Sequence, residues 1–145
     1  MSRTCHALRL GEEQYRLRLT IRGQKHLAER FGEDTLQTVL TAAGDGERMA
    51  ALLEEALNWE GSGNGVTDGE VFYDLLVDHG YQGQAQFGAL AFDIAAASGL
   101  VTADQAGRLK RTVAQAVEEA FAGLDRPGEA GGAPEEAPPF AEGSD

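Results

Sequence analysis

The residues with the strongest claim on chemistry lie between Gly61 and Leu76, GSGNGVTDGEVFYDLL, where Gly, Ser and Asn alternate ahead of an acidic pair and an apolar run. That composition raises calcium. A calcium loop between two helices takes oxygen ligands at loop positions 1, 3, 5, 7 and 9, a Gly at 6 and a bidentate Glu at 12. With Gly65 at position 6, Glu60, Ser62 and Asn64 fall at 1, 3 and 5, but Val71 falls at 12 and offers no oxygen. Sliding the frame to bring Glu70 to 12 puts Asn64 where the Gly is needed. The stretch therefore reads as a flexible Gly-rich hinge followed by a helix start. Thr67-Asp68-Gly69-Glu70 has the form of a capping box, with Thr67 as the cap and Glu70 reaching back to it.

The remaining reactive residue types are scattered. His6, His26 and His79 have no second His, Cys or carboxylate at a spacing diagnostic of a metal, and read as surface or helix-end residues. The one cysteine, Cys5, excludes an internal disulfide and a thiolate zinc cluster. A Cys5–His6 dyad fails because neighbouring strand residues point to opposite faces. No G-x-S-x-G or HExxH appears, and GSGNG lacks the Lys of a phosphate loop. No catalytic residue, metal or cofactor is expected. Two features suit a binding role instead. Glu70, Asp74 and Asp78 recur at i, i+4 and i+8, a stripe of like charge that destabilises its own helix slightly and that a basic partner would relieve. Trp59, just before the hinge, is either the edge of the core or an interface anchor.

The elements that must position these residues follow from periodicity. Tyr15, Leu17, Leu19 and Ile21 alternate with Arg16, Arg18, Thr20 and Arg22, a half-buried strand with a basic outer face. His6 to Leu10 can pair with it through Gly11-Glu12-Glu13, giving a hairpin within residues 5–20. Helices then fill 21–123. The first, from a Thr20 cap to Phe31 and Gly32, is expected to bury Ile21, Leu27, Ala28 and Phe31. A short helix capped by Asp34 follows, and then one from Asp45 to about Trp59 with Met49, Leu52, Leu53, Ala56 and Leu57 on one stripe. The Thr67-capped helix, ending near His79, is expected to bury Val71, Phe72, Leu75 and Leu76. A fifth runs from about Gln84 to Ser98. The last starts from a Thr102–Gln105 capping box and buries a stripe from Ala106 through Leu109, Val113 and Val117 to Phe121, ending near Gly123. The expected fold is mainly α with a small N-terminal β-hairpin, a bundle of about five to six helices in one domain over residues 1–124.

Residues 125–145 hold all four prolines and six acids against Arg126, and are expected to form a disordered acidic tail in which Phe140 is incidental or a small docking anchor. The formal net charge is −12, and it is segregated. Residues 1–30 carry seven Arg or Lys against three acids, whereas from Phe31 to Gly107 Arg48 is the only base among thirteen acids. Nucleic-acid binding rests on clustered cations, so a body this acidic disfavours DNA and RNA and favours a protein partner with basic segments. No run approaches the roughly 18 apolar residues of a membrane helix, and the first residues lack a secretory h-region. A soluble, cytoplasmic protein with no membrane partner is expected, with 42% apolar residues for a modest core.

The segment YRLRLTIRGQKHLAERFGEDTLQTVL resembles the N-terminal signature of the tail assembly chaperones of long-tailed, siphovirus-type bacteriophages. Tyr15, Leu17, Arg18, Leu19 and Thr20 match its strand, followed by Arg22, Leu27, Gly32, Leu36 and Leu40. MAALLEEALNW and GVTDGEVFYDLLVDHGY extend the likeness, which covers about residues 8–100 through soft, mostly apolar spacing. The resemblance implies a non-enzymatic protein of the host bacterial cytoplasm. It would bind the long helical tape measure protein, keep it soluble and bring tail tube protein onto it; homo-oligomerisation is left open, as is a longer frameshifted product. The competing reading is an acidic helical adaptor or regulator of a phage or bacterial host.

Overall fold

Alternating and helical periods fall where the chain changes element. The computed structural model describes residues 4–125, in the order β1 (His6–Leu10), β2 (Glu13–Leu17), α1 (Ile21–Phe31), α2 (Thr35–Ala42), α3 (Gly46–Leu57), α4 (Gly69–Asp78), α5 (Gly83–Ala97) and α6 (Ala103–Asp125). The fold is mainly α with a small N-terminal β-hairpin. β1 and β2 pair antiparallel from His6 opposite Leu17 to Leu10 opposite Glu13. Gly11 makes the turn at a φ of 62°, where a residue with a Cβ is strained. Residues 126–145, including Phe140 and nearly all of the expected acidic tail, lie outside the described residues; Asp125, its expected first residue, ends α6.

The helix caps follow the local sequence. The Thr20 hydroxyl accepts from the Gly23 amide, and Gly32 closes α1 in the left-handed region. Asp34 and Asp45 cap α2 and α3. Thr102 and Gln105 exchange both bonds of a capping box before α6. The Thr67 box is a correction: α4 is capped by Asp68, whose Oδ1 accepts from the amides of Glu70 and Val71 at 2.8 and 3.2 Å. A carboxylate at the positive end of the helix dipole is the better cap, and the Thr67 carbonyl is already held by Asn58 Nδ2.

α3 and α5 are the axis of the core. α5 is apolar nearly all round, burying Phe87, Leu90, Ala91, Phe92, Ile94 and Ala95, as a helix covered on several sides must. α6 lies along one side of it and α2 along another. α1, α2 and α4 pack on α3, and the hairpin lays Tyr15 edge-on against Phe72 at 5.0 Å. Three expected core positions are exposed. Ile21 is 68% accessible because α1 turns Gly23 and Leu27 inward, and Val71 is 56% accessible because α4 buries Gly69, Phe72 and Leu76 at i, i+3 and i+7. Along α6 the apolar stripe is buried only at Ala106, half-buried through Leu109, Val113 and Val117, and exposed at Phe121 and Leu124. α5 is shorter than α6, so the last turns of α6 have no neighbour on that side.

The expected hinge is instead tied down. Asn64 bonds the backbone of Arg16 and Leu57, and the Arg16 guanidinium donates to the carbonyls of Gly61 and Ser62. The loop from Asn58 to Asp68 is thus an edge cover for β2. No helix among the described residues is long and apolar enough to cross a membrane.

Candidate functional site

The face of α3 opposite its Met49–Leu52–Ala56 stripe presents Glu47, Ala50, Ala51 and Glu54 at i, i+3, i+4 and i+7. This face floors a cleft of about 810 Å³. α4 forms its wall with Asp68, Glu70, Tyr73 and Asp74, and Arg30 of α1 stands at the opposite edge. The helices approach closely because residue 69 is glycine: an added Cβ would lie 1.9 Å from the Ala50 carbonyl oxygen.

The carboxylates of the cleft are not equivalent. Asp68 is occupied as the cap of α4, and Glu54 Oε1 accepts from the Gly69 amide at 3.2 Å. Glu47 meets Arg30 only loosely, at 3.8 Å with both side chains exposed, a pairing that contributes little. Glu70 and Asp74 are exposed and form no ion pair among the described residues. The site thus combines two free carboxylates, a floor of small side chains and the ring of Tyr73, itself stacked on Phe87 at 4.7 Å. It lacks a nucleophile–base pair. Its chemistry is recognition of a cationic, slender segment whose backbone can come close to Ala50.

Of the four residues singled out in the sequence, Glu70 and Asp74 come together in this cleft and two do not. Asp78 is exposed at the far end of α4, outside it. Trp59 is corrected to the core edge: it is 6% accessible, its Nε1 donates to the Arg16 carbonyl at 3.0 Å, and the Arg16 guanidinium covers its ring at 5.4 Å. A ring so enclosed has no face left for a partner. Glu47 and Glu54 lie off the apolar stripe of α3, and their i, i+7 spacing is the one local signal that they share a face.

Arg48, the one base of the acidic body, is consumed inside the fold. Its Nε and Nη2 bind the two oxygens of Glu33 at 2.9 and 3.1 Å, and Nη1 binds Asp45 at 2.7 Å. Its guanidinium also lies 4.7 Å from the Phe31 ring centre. Arg48 and the Thr38 hydroxyl hold the Glu33 carboxyl below its ordinary range, and Arg48 does the same for Asp45. Because both carboxyls are depressed in the folded chain, their stabilisation is complete above the ordinary carboxylate range and is lost as pH falls through the lowered values. Arg48→Met is therefore expected to lower Tm most near neutral pH. The gap from the unmodified chain should narrow steadily under acid, and a pH-independent gap in thermal melts would contradict the assignment.

The histidines stay apart. His6 is half-buried, and burial pushes its pKa down. His26 Nδ1 lies 3.1 Å from Glu55 Oε1, and His79 Nδ1 lies 3.0 Å from the Leu75 carbonyl at the end of α4. Among the described residues no group of three His, Cys, Asp or Glu is placed to hold a metal ion. No family model matches the chain, and neither does any curated protein or solved structure.

Proposed function

We propose that the chain is a non-enzymatic assembly chaperone of the phage tail type, which binds basic, helical segments of a tape measure protein and keeps them soluble while tail tube protein is recruited. The observation that carries this reading is the α3/α4 cleft, about 810 Å³ with five carboxylates against Arg30. Helix-in-groove recognition needs a channel with small residues on its floor and a chemistry that sorts partners. The half-buried Ala50, with Ala51 buried beneath, supplies the first, and Glu70 and Asp74 the second. Uncompensated charge of one sign also steers an oppositely charged partner and opposes self-aggregation. A long helical client with exposed apolar stripes and Lys or Arg alongside them meets each of these requirements.

Co-expression with a phage tape measure protein tests the proposal. The client should be soluble and co-purify with the chain, and should precipitate without it. The double variant Glu70→Lys/Asp74→Lys is expected to weaken capture by about tenfold or more, the scale of repulsion between like charges at an interface. Asp78→Lys, outside the cleft, should leave capture within about twofold. A client equally soluble in the absence of this chain would defeat the chaperone reading and leave an acidic adaptor.

A further inference from the structure

The segregation of charge along the sequence places a second, opposite surface on α1. Ile21, 68% accessible, forms one wall of a shallow apolar groove of about 390 Å³ against Ala28, Leu36 and Leu100. Lys25 and Asp34 line the same groove, and Arg22 stands beside Ile21 at its rim; the Asp34 carboxylate is engaged as the cap of α2, its Oδ1 accepting from the Gln37 amide. Neither cation pairs with a carboxylate among the described residues. The groove opens on the side of α1 turned away from α3, since Gly23 and His26, which meet Glu55 of α3, lie on the opposite helix face.

The outer side of α4 is the counterpart. Val71 and Val77 are 56% and 48% accessible and are interleaved with Glu70, Asp74 and Asp78. A groove with apolar walls and two unpaired cations meets a stripe of carboxylates flanked by two valines, so the two surfaces match in apolar content and are opposite in net sign. Because the groove faces away from α3, on which α4 packs, the two surfaces of one chain cannot meet each other.

We propose that the α1 groove receives the α4 face of a second copy of this chain, so that copies associate head to tail. The two patches differ, so the contact is heterologous: a joined pair still has one free α4 face on one copy and one free groove on the other, and association continues to a ring or an open string. Glu70 and Asp74 also line the α3/α4 cleft, so the two surfaces overlap; the contact is tested on the purified chain alone, with no client present, and so separately from the chaperone reading.

Light scattering and sedimentation of the purified chain test this. The weight-average mass should rise with concentration past that of a dimer. Arg22→Glu/Lys25→Glu and Asp74→Lys/Asp78→Lys should each weaken association at least about tenfold. All four side chains are exposed, so helical circular dichroism and Tm should hold. Mixing the two variants in equal amounts should restore assembly, because each reversed patch then faces an opposite one on the other variant. A chain monomeric at every concentration, a closed dimer indifferent to both reversals, or a mixture that stays monomeric would overturn the proposal.

Discussion

Gly69→Ala is expected to destabilise the fold by about 3 kcal/mol, lowering Tm by roughly 10 to 15 °C, although inside a helix the same change ordinarily gains about 1 kcal/mol. The reason is the crossing of α3 and α4. A Cβ at residue 69 would sit 1.9 Å from the Ala50 carbonyl oxygen, 2.9 Å from its carbon and 2.9 Å from Glu54 Cβ. Two of these three atoms are backbone and cannot swing aside. Either α4 moves off α3, uncovering Phe72 and Leu76, or its first turn unwinds and the Asp68 cap and the Gly69–Glu54 bond are lost. Gly107 provides the contrast. It lies inside α6, and its added Cβ would meet only Arg111 Nη1 at 3.6 Å, an ordinary contact. Gly107→Ala should therefore stabilise by about 0.5 to 1 kcal/mol. Thermal melts of the two variants decide the matter by sign; a Gly69→Ala protein more stable than its parent would mean that the helices do not cross this closely. The same variant should also widen the acidic cleft, since Gly69 sets the distance between its floor and its wall.

The fold class was legible because its signals are local. Alternation from Tyr15 to Leu19, the caps at Thr20, Asp34, Asp45 and Thr102, and the stripe of α3 all depend on residues within one or two turns of each other. Burial at the element ends was not legible, because it depends on what else is near. Ile21, Val71 and Phe121 each continue an apolar period correctly, yet no neighbouring element covers them and they stay largely exposed. The site was half legible. Glu70 and Asp74 stood out by spacing within one helix, whereas Glu47 and Glu54 join them only through the crossing of α3 and α4, which the sequence records as a single glycine. Trp59 shows the limit from the other side: nothing local says that the backbone of Arg16, 43 residues earlier, receives its Nε1 proton.

Asn64→Ala is expected to cost about 3 kcal/mol, though it removes only a short polar side chain from a loop. In the antiparallel register Arg16 lies opposite Ala7, and its N–H and C=O point away from β1, toward the edge of the sheet. The Asn64 amide satisfies both: Oδ1 accepts from the Arg16 N–H at 2.7 Å, and Nδ2 donates to the Arg16 carbonyl at 2.8 Å and to the Leu57 carbonyl at 3.1 Å. One side chain thus stands in for a third strand and also ties off the end of α3. Alanine leaves the part-buried Arg16 N–H without this acceptor and the Leu57 carbonyl without this donor, and unmet groups of this kind cost about 1 to 3 kcal/mol each when water cannot replace the partner. Asn64→Asp isolates the direction of the bonds. It keeps the acceptor for Arg16 but points a carboxylate oxygen at two carbonyls, which favours the protonated acid and raises its pKa in the folded chain. The stability lost by Asn64→Asp should therefore be recovered as pH falls through that raised value, whereas the Asn64→Ala deficit should persist. Calcium should leave the Tm of the unmodified chain unchanged, because the one amide that a calcium frame would use at its centre is already spent on the backbone. A pH-independent Asn64→Asp deficit, or a calcium-induced rise in Tm, would return the loop to the role of a cation site.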